Sequence, residues 1–200
     1  MPRAKQRTPE LKERLLRSAI ARLEADGLPG LTIRRVAGDA KTSAPALYEL
    51  FGDRAGLVGE IFAEGFRRLA ARLDECPETT DPLADLRDSV TAFRAFALAN
   101  PGLAEVMFSR PFADFDPGPE DFAAAVATQE LIVTRVRRAV DAGLLAGDPI
   151  DIAHVLFALA RGLAAQEASG LLGSSAASRE RRWRLSLDAA LSGLAQPAER

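Results

Sequence analysis

Side chains able to carry covalent or metal chemistry are scarce in this chain of 200 residues. His154 is its one histidine and Cys76 its one cysteine. A serine or cysteine triad, a histidine-based metal site, a thiolate cluster and an intramolecular disulfide all lack parts. No Gly-rich phosphate loop of the P-loop or dinucleotide-binding kind is present, and the carboxylates fall in no obvious catalytic pair. Nothing beside Cys76 in the sequence marks it as reactive, so a buried or incidental thiol is the reading. The expectation is a protein that is not an enzyme and has neither cofactor nor metal. What remains is recognition without bond-making, and residues 32–54, TIRRVAGDAKTSAPALYELFGDR, carry the pattern for it.

The elements that position this stretch follow from its spacing. Thr32 is a good N-cap, whose hydroxyl can accept from an orphan N–H of the first turn. Ile33, Val36, Ala37 and Ala40 recur at helical spacing and bury one face of a short helix. Lys41 and Thr42 interrupt the pattern, and Ser43 offers a second N-cap. Pro45 suits the first turn of the next helix, where a missing N–H costs little. Ala46, Leu47, Tyr48, Leu50 and Phe51 make that helix apolar, and Gly52-Asp53 ends it. Two short helices joined by a tight turn form a helix-turn-helix, whose second helix can enter a DNA major groove.

Charge distribution agrees. The whole chain is formally −2, which carries no nucleic-acid signature. Residues 1–54, however, hold 11 Lys/Arg against 7 Asp/Glu, while the remainder hold 15 against 21. A basic head on an acidic body suits a DNA-binding region joined to a separate sensing or dimerising domain. The domains expected are 1–54, with a basic arm at 1–7, and 55–200, with a helix over 54–75 linking them. The arm's Arg3, Lys5 and Arg7 suit phosphate or minor-groove contact. The N-terminus has no apolar core for a signal peptide, and no apolar run is long enough to span a membrane. A cytoplasmic protein without membrane association is expected.

The remaining chain reads as helices throughout. Thr8-Pro9 opens a first helix that runs to about Asp26, with Gly27 placed as its left-handed stop. Helices follow over 54–75, 83–99, 103–109, 120–142, 150–170 and 178–194. The segment 77–82, PETTDP, is the expected hinge, and 110–119, with three prolines and a glycine, a loop over the core. The helix over 150–170 is apolar almost all round at its centre, so burial on more than one side is expected. The fold class is all-α, of about nine helices: an N-terminal helix-turn-helix domain followed by a helical bundle.

About the first 70 residues resemble the TetR family of transcriptional regulators. The residues that carry the likeness are Thr32-Ile33, Val36-Ala37, Ser43, Leu47-Tyr48, Phe51 and Asp53-Arg54. The C-terminal part is similar to that family's helical ligand-binding and dimerisation domain. Its branch with a tryptophan-histidine-glycine signature would place that motif in residues 157–162, where only Gly162 is kept. The head departs from the family as well. Lys41-Thr42 stands where Gly-Val is common, Ala44 where a polar or basic residue is common, and Leu50 where a histidine is frequent.

The resemblance implies roles. Thr32 with its helix N-terminus, Lys41, Tyr48 and Arg54 would contact phosphates, which fix register without reading sequence. Thr42, Ser43, Ala44, Pro45 and Ala46 would approach base edges, Ala44 being able to meet a thymine methyl. One of Arg34 and Arg35 would reach DNA. A homodimer through the last two helices, about 150–170 and 178–194, would match a palindromic operator. The stripe His154, Ala158, Arg161, Ala165 lies either on that seam or in solvent. Phe93, Phe96, Met107, Phe108, Phe112 and Phe157 are candidates for an apolar effector pocket, with Arg161 or Gln166 as polar anchors. The function expected is a ligand-responsive repressor released by a small, largely apolar effector. The alternative is a helical ligand-binding or adaptor protein without operator-specific DNA binding.

Overall fold

A computed structural model describes residues 8–109, 111–113 and 115–195. The basic arm at 1–7, with Arg110 and Asp114 of the expected loop, lies outside the described residues. Among the described residues are nine helices: α1 (Pro9–Gly30), α2 (Ile33–Asp39), α3 (Ala44–Phe51), α4 (Arg54–Asp74), α5 (Pro82–Ala99), α6 (Pro101–Phe108), α7 (Pro119–Asp141), α8 (Pro149–Ala168) and α9 (Ala176–Leu194). The all-α expectation holds. The β-structure among these residues is one isolated bridge, Leu145 to Ala195. None of the helices is long and apolar enough to cross a membrane.

The sequence signals for helix ends act much as expected. Thr8 caps α1, accepting from the Leu11 N–H at 3.4 Å. Regular helix then breaks at Gly27, whose φ of 65° and ψ of −173° suit a residue without Cβ. One further turn, through Pro29, carries α1 to Gly30. Asp53 accepts from the Gly56 N–H at 2.9 Å at the start of α4, and Asp148 accepts from the Ile150 N–H at 2.7 Å at the start of α8.

The chain forms two compact units. One takes α1 to Arg67 together with Asn100–Ala125; the other takes Arg68–Ala99 together with the chain from Val126 onward. In the first, Leu15, Leu23, Leu47, Leu57 and Ile61 are fully buried, each such side chain contributing roughly 1.5–3 kcal/mol. Polar ties fix α1 to the helix-turn-helix beside that core. Arg22 forks onto Asp39 at 2.6 and 2.8 Å and reaches Asp26 at 2.8 Å. Hydrogen bonds to Asp26 and Asp39 raise the pKa of Arg22 further. Arg14 Nε donates to the Ala40 carbonyl at 3.0 Å, at the turn itself. Farther along α1, Glu24 accepts from the N–H groups of Gly102 and Leu103, both at 2.9 Å. That carboxylate takes the place of a side-chain cap on α6, since Asn100 provides none.

In the second unit, Leu86, Val136, Leu145, Ile152, Leu156, Leu187 and Leu191 make the core. The segment expected as a hinge is tied down by side chains. Asp85 is buried and accepts from Thr79 Oγ1 at 2.7 Å, the Thr79 N–H at 2.8 Å and Arg138 Nη1 at 2.8 Å. Arg94 lies over the Trp183 ring, 4.7 Å from its centroid, and ion-pairs with Glu167 at 2.8 Å and Glu180 at 2.7 Å.

One expectation needs correction. Burial of α8 on more than one side is not what a single chain shows. Ile152, Ala153, Leu156, Ala160 and Ala164 face the core, while His154, Val155, Ala158, Arg161, Gly162 and Ala165 are exposed. The apolar excess is real, but among the described residues no element covers the second face.

Candidate nucleic-acid interface and ligand cavity

The helix-turn-helix is built from α2, the turn Ala40–Ser43 and α3. The turn has a specific geometry. The Lys41 N–H donates to the Gly38 carbonyl at 3.0 Å and the Thr42 N–H to the Ala37 carbonyl at 2.9 Å. These paired bonds are a Schellman stop, which wants a left-handed residue in the Lys41 position. Lys41 supplies it with φ 52°, among the described residues the one non-glycine at positive φ. Glycine is the usual occupant because it has no Cβ to clash. The departure from Gly-Val therefore exchanges backbone ease for an exposed cation at the edge of the head.

Side chains on α3 divide by face. Leu47 and Phe51 are buried, whereas Tyr48 is 50% exposed although it is aromatic. Pro45 is exposed, and Thr42, Ser43 and Ala44 are half-buried. Ala46 is 5% exposed and packs inward with Leu47, so its side chain does not reach a surface with its neighbours. Thr32 and Ser43 take the extended N-cap conformation before α2 and α3, yet neither hydroxyl makes the cap hydrogen bond. The sequence predicts Thr32 accepting from the first turn; in the structure the cap position is filled and the cap bond is unmade.

The basic residues are not alike. Arg34 is exposed on α2. Arg35, also exposed, is 3.7 Å from Asp26. Arg54 opens α4 and is exposed, but its Nη2 donates to the Leu28 carbonyl at 3.1 Å and its guanidinium lies 6.0 Å from the Phe112 ring centroid. It therefore holds the end of α1 with one nitrogen whatever else it does. Thr32, Arg34, Lys41, Thr42, Pro45 and Tyr48 thus lie on the exposed or half-exposed part of the head, where phosphates and base edges could be met.

The residues expected at an effector pocket fall in two places. Phe93, Phe96, Phe157, Arg161 and Gln166 belong to the second unit; Met107, Phe108 and Phe112 belong to the first. There Phe108 packs edge-on to Phe66 at 5.5 Å and Phe112 edge-on to Phe115 at 5.2 Å. In the second unit Phe93 and Phe157, 5.0 Å apart, line a cavity of about 20 Å³ with Leu73, Leu86, Ser89, Val90, Ile132, Arg135, Leu156 and Ala160. Arg161 and Gln166 are on the exposed part of α8. Arg135 borders the cavity too, through the apolar part of its side chain, and sequence reasoning misses it. On α7 it sits amid Arg137 and Arg138, and nothing in the spacing marks it as the buried one. Among the described residues no group of His, Cys, Asp and Glu is placed to hold a metal.

Comparison with known proteins agrees with this architecture. Residues 86–190 match the family model of the tetracyclin repressor-like C-terminal domain. No curated protein sequence matches the chain. Among solved structures, a protein of unknown function from Rhodococcus sp. RHA1 is 32% identical over 98% of this chain and 100% of its own, with a TM-score of 0.81. The TetR family transcriptional regulator PfmR from Thermus thermophilus is 20% identical, covering 94% of this chain and 100% of its own at a TM-score of 0.66. A TetR variant from Acinetobacter baumannii AYE, in complex with minocycline, is 19% identical over 91% and 94%, with a TM-score of 0.67. The family is one of non-catalytic, ligand-responsive DNA-binding proteins, and this chain belongs to it: a TetR-family transcriptional regulator.

Proposed function

We infer that the protein is a repressor that binds a palindromic operator as a homodimer and leaves it when a small, mainly apolar effector binds. The observation that carries the DNA half is the division of α3. Leu47 and Phe51 satisfy the core, so Tyr48 is held out at 50% exposure, on the same helix-turn-helix as the exposed Lys41. Tyr48, Lys41 and Thr32 are assigned to phosphates and the Thr42–Pro45 turn to base edges. Arg54 is assigned a phosphate through the nitrogens not given to Leu28.

The dimer half is supported by the second face of α8. Val155 is 50% exposed there and Leu185 on α9 is 66% exposed, with Ala158, Gly162 and Ala165 allowing close helix approach. Packing α8 and α9 against the same pair of a second copy would give an isologous interface. The effector half is supported by the cavity beside Phe93 and Phe157, and by the fold-mate that carries minocycline. An effector acts only if it binds a DNA-incompetent state more tightly than the competent one.

Fluorescence anisotropy on DNA from upstream of the gene tests this, run across a salt series with Tyr48→Ala alongside. Expected is binding tighter than to random DNA, steeply salt-dependent and weakened by the variant. Binding no better than to random DNA in every upstream fragment would favour the adaptor reading instead.

A further inference from the structure

Arg54 is exposed, yet two contacts from other parts of its own unit hold its guanidinium. Its Nη2 donates to the Leu28 carbonyl at 3.1 Å, in the last turn of α1 beyond the break at Gly27. Its Cζ lies over the Phe112 ring, 6.0 Å from the centroid. Phe112 is itself seated. It packs edge-on to Phe115 at 5.2 Å, and the buried Phe115 lies 6.0 Å from Phe62 on α4. Phe62 in turn lies 4.9 Å from Phe66 on the same helix. Arg54 and Phe62 are about two turns apart on α4. The two rings that follow α6 thus carry the contact back along α4 to its start.

Such a contact suits an arginine with a second task. A ring attracts a guanidinium through its face, whereas the N–H donors point outward from its edge. Stacking on Phe112 therefore uses no donor, and the Leu28 carbonyl takes one. Nε and Nη1 keep theirs, with no hydrogen-bond acceptor among the described residues. Arg22 and Arg35 differ, since both are paired with the Asp26 carboxylate and Arg22 with Asp39 as well. A long exposed side chain gives up rotamer freedom when it grips a phosphate. One already held on a ring and a carbonyl has given up part of it beforehand, which strengthens binding. We propose that Phe112 is a positioning residue for DNA binding: its ring holds Arg54 in the conformation that meets an operator phosphate. The segment over 109–118 thereby sets, through Arg54, the strength of one DNA contact in each chain. This rests on the assignment of Arg54 to a phosphate, and it names what keeps Arg54 there.

The experiment is fluorescence anisotropy of the full chain on two labelled duplexes, one from upstream of the gene and one of random sequence, across a salt series. A phosphate contact carries no sequence information, so both duplexes report it. The native chain, Phe112→Leu, Phe112→Tyr, Arg54→Met and the double variant of Phe112→Leu with Arg54→Met are compared, each with its folding checked by circular dichroism. Expected is a loss of about two- to fivefold per bound chain in Phe112→Leu, which stays apolar but has no ring face. Phe112→Tyr keeps the ring and should restore most of that loss. Arg54→Met should lower the salt slope by about one unit per bound chain, and adding Phe112→Leu to it should cost nothing further. A purely structural ring behaves otherwise: leucine serves as well as tyrosine, or the loss persists beside Arg54→Met. Either result overturns the proposal. Native affinity and native salt slope in Arg54→Met overturn it too, even if no Phe112 variant folds. A native chain that binds neither duplex at low salt sinks the DNA-binding reading and this inference with it, whereas binding that ignores Phe112 sinks this inference alone.

Discussion

Replacing Lys41 with glycine should make the protein more stable and a poorer DNA binder, and the two effects have separable causes. Lys41 sits at φ 52° in a Schellman stop with both of its hydrogen bonds made. A side chain in the left-handed region costs roughly 1–2 kcal/mol. Glycine removes that cost but adds unfolded-chain freedom worth about 0.4–1 kcal/mol. The net expectation for Lys41→Gly is a gain of about 0.5–1 kcal/mol, a rise in Tm of roughly 1–4 °C for a chain of this size. Lys41→Ala keeps the strained φ and removes the charge, so it should sit near the native chain in stability. On operator DNA both variants should lose the same amount, with the salt slope falling by about one unit for one phosphate contact. Thermal melts at one fixed protein concentration and anisotropy across a salt series read the two effects. Lys41→Gly no more stable than Lys41→Ala would refute the strain argument. A salt slope equal to the native one in both variants would remove Lys41 from the phosphate contacts.

Other perturbations reach other parts of the chain. Glu24→Ala leaves the Gly102 and Leu103 N–H groups without their shared acceptor and should cost about 1–3 kcal/mol by urea unfolding; no change would mean that water replaces the cap fully. The Asp85 carboxyl is held below its ordinary 3.8, first by the Thr79 hydroxyl, then by the Thr79 N–H and Arg138, against the opposing effect of burial. A depressed folded pKa means that its stabilisation is present above the unfolded value and lost as pH falls through the folded one. Acid unfolding of the native chain should therefore be steeper below about pH 4 than that of Asp85→Asn, and superimposable acid curves would contradict this. Val155→Arg places a charge on the exposed face of α8 and should shift sedimentation towards monomer while the melt remains cooperative; an unchanged dimer would move the interface elsewhere.

What the sequence disclosed and what it withheld differ in kind. Leu47, Tyr48 and Phe51 were legible because helical spacing sends Leu47 and Phe51 to one face and leaves Tyr48 on another. The same periodicity explains Ala46. It precedes Leu47 on the inward side, so its small side chain was available to the core rather than to base edges. The stops at Gly27 and Gly52 follow from glycine's access to positive φ, whereas Lys41 at the same kind of stop breaks that rule, and no sequence pattern announces a tolerated strain. Long-range polar placement was the least legible. Glu24 reading the start of α6 and Arg135 closing the end of α4 through the Leu73 and Cys76 carbonyls depend on which helices meet, which periodicity within one helix does not encode. The same limit divided the aromatic set, since Phe93 and Phe108 have equal apolar character but belong to different packed units.

The α8 helix shows where a misread burial still carries information. Its composition called for two covered faces, and one chain covers one. Either the exposed face is a solvent stripe, in which case His154 and Arg161 are the rule and Val155 the exception, or it awaits a partner. The residues favour the partner. Ile150 and Val155 are exposed β-branched side chains where a solvated helix would carry Glu or Lys, and Ala158, Gly162 and Ala165 present almost no side chain to hold apart a second helix. His154 turns its Nδ1 towards the Ile150 carbonyl of its own helix at 2.9 Å, which folds the ring back along the helix surface. A face made of β-branched residues, small residues and a ring laid along the helix is shaped for helix contact, and α9 beside it adds the exposed Leu185. On the dimer proposed above, the apolar excess that looked like core in the sequence belongs to the surface that a second copy of this chain would bury.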